Sequence, residues 1–185
     1  MKDLRQRRTR EAYQQAFWIL LEKKPYQKIT VTDFGEICGL NRKTFYSYYE
    51  EVDALAQDCL DRLFGWILVE DVENYTNWDA TRIMFENIIR YQKYLELVLK
   101  NQMDYLVYRS LKRRMHRLAG RVMPKDQLFD PELLFEYTVA ISWRCMVWGV
   151  KNKDRLPEEL TDICLHTYRS YITLMANQYK SGGIR

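Results

Sequence analysis

Apolar residues recur at helical spacing along nearly the whole chain. Tyr13, Ala16, Phe17, Leu20 and Leu21 form one stripe, which predicts a first helix over about residues 4–23, ending before Pro25. Thr30-x-x-Asp33 is a capping-box pattern and opens a second helix. Gly39 falls where that helix needs a left-handed C-terminal residue, and Asn41 is a good N-cap for a third helix over 42–49. Two short helices joined this tightly, with Gly in the turn, predict a helix-turn-helix unit.

Downstream, Asp53 can cap a fourth helix reaching roughly Tyr75, with Leu55, Cys59, Leu63, Trp66 and Ile67 on one face. Residues 78–102 read as one helix or two. Val107, Leu111, Leu118 and Val122 then stripe a helix over 104–122, and Pro124 and Pro131 bracket a loop. A helix over 132–151 follows. The last helix starts at Pro157, runs to about Tyr179, and carries Leu160, Ile163, Cys164, Tyr168, Tyr171, Ile172 and Met175 as its stripe. SGGIR reads as a frayed tail. The expected fold is all-α, about nine helices, with residues 1–52 as a helix-turn-helix domain and 53–185 as a helical body.

Composition agrees with this picture. The 185 residues are 47% hydrophobic and 29% charged, with 7 Gly and 4 Pro, which suits a globular helical chain and not a many-turned β fold. The most apolar stretch, Leu133 to Val150, holds Glu136 and Arg144, so it reads as a buried helix and not as a membrane span. Residues 1–12 are charged and lack the apolar run of a secretory leader. Cys38, Cys59, Cys145 and Cys164 are scattered without metal-ligand spacing; they read as small buried hydrophobes in a reducing cytoplasm.

Charge is distributed unevenly. Residues 1–50 hold ten Lys/Arg against six Asp/Glu, while the chain totals are 29 and 25, so the whole net charge of +4 lies in the first fifty residues. A basic N-terminal module on a neutral body points to a polyanion partner. The third helix has the matching chemistry. Arg42, Lys43, Thr44, Ser47 and Tyr48 can face outward, while Phe45 and Tyr49, four apart, share an inner face with Phe34 and Ile37. Tyr46 lies between the faces, able to offer its hydroxyl to phosphate while its ring packs.

The run ITVTDFGEICGLNRKTFYSYYEEVDAL, Ile29 to Leu55, resembles the DNA-binding signature of the tetracycline-repressor (TetR) family of bacterial regulators. The shared elements are Thr-Val opening helix two, Gly39, the Thr44-Phe45-Tyr46 triplet, the aromatic Tyr49, and an acidic residue with Leu opening helix four. The resemblance implies a homodimer on a palindromic double-stranded operator, a recognition helix in each major groove, and a C-terminal domain for a small-molecule effector and for dimerisation. It implies a repressor. By position, Arg42, Lys43, Thr44, Ser47 and Tyr48 would face the groove, with Tyr46 on the backbone and Thr30 and Thr32 at phosphate. The chain departs from the pattern at Val52, where Lys is common, at acidic Glu50 and Glu51, at Gly35 for Ala and at Asn41 for Ser. Those acidic residues support an alternative: a TetR-fold protein-interaction adaptor with weak or no DNA binding.

Other features are secondary. The N-terminal RQRRTR, with Arg5, Arg7, Arg8 and Arg10, reads as a basic arm for an adjacent minor groove or as a frayed terminus. Arg109, Lys112, Arg113, Arg114, Arg117 and Arg121 read as a solvated face or a cationic site. Trp66, Tyr105, Tyr108 and Trp143 are candidates for an aromatic effector pocket. Phe135, Val139 and Met146 lie off the main stripe and suggest a dimer face on the last two helices. Glycine-rich phosphate loops and hydrolase or metalloprotease motifs do not occur, and His116 and His166 are far apart, so neither an enzyme nor a metal or other cofactor is expected.

Overall fold

The computed structural model describes residues 2–68, 77–122 and 131–180. Its helices are α1 (Lys2–Lys23), α2 (Val31–Cys38), α3 (Arg42–Tyr46), α4 (Val52–Ile67), α5 (Asn77–Arg90), α6 (Gln92–Lys100), α7 (Asp104–Val122), α8 (Pro131–Lys151) and α9 (Pro157–Lys180), with a 3-10 turn at Tyr26–Lys28. No strand occurs among the described residues, and none of their helices is long and apolar enough to cross a membrane. The extension of helix four to Tyr75, the loop after Pro124 and the SGGIR tail lie outside the described residues. So do the side chains of Arg117, Leu118, Arg121, Val122, Tyr168, Tyr171, Ile172 and Met175.

The chain packs as two compact units, Met1–Phe64 with Lys93–Ser110, and Gly65–Gln92 with Leu111–Arg185. This division differs from the boundary expected after residue 52. In the first unit, α1 buries Tyr13, Ala16, Phe17, Leu20 and Leu21, and α2 buries Phe34. The first three turns of α4 belong to this core, because Leu55, Ala56, Cys59, Leu60 and Leu63 are all buried. Leu95 and Val98 of α6 and Leu106 and Val107 of α7 complete it. Polar ties join these elements: the Tyr26 hydroxyl donates to Asp53, and the Asn101 side chain accepts from the Tyr26 amide at 2.8 Å. Asp53 thus serves as an acceptor within the first turn of α4 and not as the residue before it.

In the second unit, α5 packs on both α8 and α9. Phe85 and Ile88 of α5 and Phe135, Val139 and Met146 of α8 are buried here. The last three were expected on a dimer face; they line one side of α8 and turn into the protomer's own core. Trp66, expected in the buried stripe of α4, is 39% exposed and stacks on Tyr91 at 5.2 Å. Its neighbour Ile67 holds the inward position, four residues after Leu63.

Candidate nucleic-acid interface

The site is built on three short pieces of local chemistry. At the start of α2, the Thr30 amide and hydroxyl both donate to Asp33 Oδ2, at 2.7 and 2.9 Å. Lys24 Nζ lies 2.5 Å from the other carboxylate oxygen. The Lys24 hydrogen bond foremost, helped by those from Thr30, holds the Asp33 carboxyl below its ordinary range against partial desolvation. Both threonines named as phosphate contacts, Thr30 and Thr32, are exposed at this end of α2.

Gly39 closes α2 with φ +66°, its amide donating to the Gly35 carbonyl at 2.9 Å. This is the left-handed cap expected there. Gly35 has its own reason: a Cβ at that position would lie 2.9 Å from the Leu40 carbonyl oxygen. The departure from Ala therefore permits the close approach of the turn to α2.

Asn41 then caps α3, its Oδ1 accepting from the Thr44 amide at 2.8 Å and from the Thr44 hydroxyl at 3.0 Å. Regular α-helix covers Arg42–Tyr46 and not the full 42–49 expected. Beyond Tyr46 the chain winds on through turns, with the Tyr49 amide donating to the Phe45 carbonyl at 3.0 Å.

An aromatic cluster holds α3 in place. Phe45 and Tyr49 are buried, and Phe45 packs edge-on to Tyr13 at 5.3 Å and beside Phe34 at 5.4 Å. The expected fourth member, Ile37, is 36% exposed. Cys38, four residues after Phe34, takes the inward position, and its thiol donates to the Ala12 carbonyl at 3.5 Å. The Tyr49 hydroxyl reaches Asp58 Oδ2 on α4 at 2.6 Å. Burial, followed by that bond, pushes the Tyr49 phenol well above its usual range, so it stays a donor. Asp58 also accepts from Gln14 of α1 at 3.0 Å, and Gln14 accepts from Arg62 at 2.7 Å. The end of α3 is therefore tied to both α1 and α4.

The opposite side of α3 is open. Arg42, Lys43, Tyr46 and Ser47 are exposed, while Thr44 and Tyr48 are half-buried. Arg42 donates to the Tyr46 hydroxyl at 3.1 Å, with its guanidinium 5.4 Å from the ring centre. Ser47 donates to the Thr44 carbonyl at 2.7 Å. Ser47 and Tyr48 line a cleft of about 490 Å³ with Gln6, Arg7 and Arg10 of α1.

The basic N-terminus is neither an extended arm nor a frayed end. Residues from Lys2 are helical and belong to α1. The run lacks Gly and Pro, and Arg7 pairs with Glu11 one turn on at 3.1 Å, which favours helix. Arg5 and Arg8 are exposed on it. Of the α1 residues lining the cleft, Arg7 and Arg10 belong to the basic run expected to meet DNA, whereas Gln6 carried no signal beyond its place in RQRRTR. Glu50 and Glu51 are exposed immediately before α4, where negative charge favours a helix N-terminus.

Of the proposed effector residues, Tyr105 and Tyr108 belong to the first unit and Trp66 and Trp143 to the second. Tyr105 is 71% exposed, with Arg109 5.9 Å from its ring. Tyr108 is half-buried and Trp143 is buried. The basic run of α7 is not one solvated face: Arg109 donates to Gln57, Lys112 pairs with Glu136, and Arg114 is buried beside Gly65. His116 stacks on Phe135 at 4.0 Å.

No protein-family model matches the chain. By structure, it superposes on a TetR transcriptional regulator from Streptococcus agalactiae with a TM-score of 0.66 at 19% identity, covering 90% of this chain and 96% of that one. Its fold is the all-α fold of that TetR regulator. A second structure, the dihydroxyacetone kinase operon activator DhaS, gives a TM-score of 0.56 at 14% identity, over 90% of this chain and 97% of DhaS. In sequence it is similar to the HTH-type regulator YxbF of Bacillus subtilis, 41% identical over 61 residues, which are 32% of this chain and 16% of YxbF. It is also similar to the HTH-type dhaKLM operon transcriptional activator DhaS of Lactococcus lactis, 29% identical over 90 residues, 46% of this chain and 48% of DhaS. The matches thus span less than half the length of these curated relatives.

Proposed function

We propose that this TetR-like chain is a DNA-binding transcription regulator acting as a homodimer in the cytoplasm. The observation that carries the reading is the exposed Arg42, Lys43 and Tyr46 on a helix whose other side is locked by Phe45 and Tyr49. Arg42 and Lys43 suit base edges in the major groove, and Tyr46, Tyr48, Ser47, Thr44, Thr30 and Thr32 suit groove and phosphate contacts. Arg5 and Arg8 add positive charge along α1. A dimer would set two α3 helices on a palindromic operator with half-sites about 34–36 Å apart, or a multiple of that.

The second copy would cover the outer side of α8 and α9. There Tyr137 and Ile163 are exposed, and an apolar groove of about 610 Å³ runs past Ile141, Trp148 and Cys164. Such a face suits pairing with its own copy into a four-helix arrangement. A small-molecule effector in the second unit would act by differential affinity for two states, with α4 carrying residues of both units. Release of the operator would make it a repressor; DhaS, by its name, is an activator.

Arg42→Ala tests the assignment. It should relax base preference at one position of each half-site and cost about 1–3 kcal/mol where the arginine reads a guanine. Unchanged selectivity in binding-site selection would remove α3 as the reader. The adaptor reading rests on exposed Glu50 and Glu51, and it predicts DNA binding that is absent or insensitive to salt.

A further inference from the structure

Two of the four cysteines, far apart in sequence, meet in space. Cys145 of α8 and Cys164 of α9 bring their sulfurs to 3.2 Å, and both are half-buried. A disulfide bond is about 2.05 Å long, so the pair needs a closure of roughly 1 Å. The other two thiols are placed differently: Cys59 is fully buried, and Cys38 is occupied by the Ala12 carbonyl. The 145–164 contact opens into the apolar groove beside Ile141, Trp148 and Ile163, with Arg144 among its walls. These walls admit an uncharged oxidant more readily than a charged one.

We propose that Cys145 and Cys164 are a modification site: a hydroperoxide converts them to an intrachain disulfide that joins α8 to α9. The inference is independent of DNA binding, and it concerns the groove of a chain not yet covered by the second copy proposed above. The two thiols divide the work. Accepting a hydrogen bond from Cys145 holds Cys164 below the usual thiol range despite burial, whereas the same bond, together with burial, pushes Cys145 up. Cys164 therefore supplies the thiolate, the form that reacts.

Its sulfur attacks the peroxide, an S–O bond forms as the O–O bond breaks, and the alkoxide leaves as an alcohol with the proton Cys164 gave up. The Cys164 sulfur is oxidised by two electrons and the peroxide reduced. The Cys145 sulfur then attacks Cys164 Sγ, the S–O bond breaks, and hydroxide leaves as water with the Cys145 proton. Two thiols and one hydroperoxide thus give one disulfide, one alcohol and one water.

The test uses the reduced full chain, diluted until sedimentation shows a monomer, then treated with hydrogen peroxide or cumene hydroperoxide, alkylated and mapped by mass spectrometry. The expected result is a chain lighter by about 2 Da, one Cys145–Cys164 crosslinked peptide, and Cys38 and Cys59 still open to alkylation after unfolding. Cys145→Ser should leave a sulfenic acid at Cys164 that dimedone traps, and Cys164→Ser should slow oxidation of Cys145 at least tenfold. Unoxidised cysteines after excess peroxide, crosslinks to Cys38 or Cys59, or crosslinks between chains would overturn the proposal. The wild-type crosslink map decides it even where a serine variant fails to fold.

Discussion

The helix-turn-helix head and the α8–α9 face solve opposite problems. Regular helix in α3 covers five residues, far too few to persist alone in water, so the head fixes it at its start, along its inner side and at its end. Asn41 caps it, Phe45 and Tyr49 anchor it, and the Tyr49 hydroxyl ties its end to Asp58. Helices α8 and α9, of 21 and 24 residues, sustain themselves through length and one buried face. Their outer side carries the apolar groove past Ile141, Trp148 and Ile163, which the proposed second copy would cover. The comparison teaches that rigidity is invested where a surface must be presented at atomic precision, and open apolar area where a surface is to be covered.

The largest expected break in this contrast is Phe45→Ala. Phe45 is buried and touches Tyr13, Phe34 and Tyr49, so its loss should cost about 3–5 kcal/mol in chemical denaturation. The next effect is local to the outer face. Ile163→Glu puts a charge on the apolar groove and should shift sedimentation toward the monomer while helical content by circular dichroism is kept. A dimer unaffected by this change would move the interface elsewhere.

A pair of tyrosines sharpens the account of the head. Tyr49→Phe keeps the ring but removes the bond to Asp58, a half-exposed acceptor, and should cost about 1 kcal/mol. Tyr13→Phe should be neutral or slightly stabilising, because among the described residues the buried Tyr13 hydroxyl has no hydrogen-bond partner. Equal losses in the two variants would contradict the pinning role given to Asp58.

The smallest effect is a pH dependence. Asp33 has its folded-state pKa lowered by Lys24 and Thr30, so its contribution is present above the usual carboxylate range and lost as pH falls through the folded value. The stability gap between the wild type and Asp33→Asn should therefore shrink as the pH drops below about 4. A gap that widens on acidification would reverse the sign of this coupling.

What was legible in the sequence was local. The capping box, the Gly39 stop, the Asn41 cap and the inward pair Phe45 and Tyr49 depend on residues within one or two turns of each other, and periodicity exposes such relations. Ile37 was misplaced because an eight-residue helix offers two apolar candidates near one face; its rotation was settled by contact of Cys38 with α1. Gly35 owes its place to the approach of the Leu40 carbonyl, a contact that helical periodicity does not reveal. The bonds from Tyr49 and Gln14 to Asp58, the burial of Arg114 and the meeting of Cys145 with Cys164 depend on chain segments brought together by folding. Spacing along one helix carries no record of those.

The central claim is that the open side of α3 reads DNA. Its most direct test is a salt titration of binding to a selected palindrome and to random DNA, for the wild type and Arg42→Ala. Affinity for both DNAs should fall steeply with salt, by about 0.9 in log–log slope for each phosphate neutralised, with the palindrome preferred and Arg42→Ala losing part of that preference. Binding that is absent, or that is flat with salt and blind to Arg42, would contradict the claim.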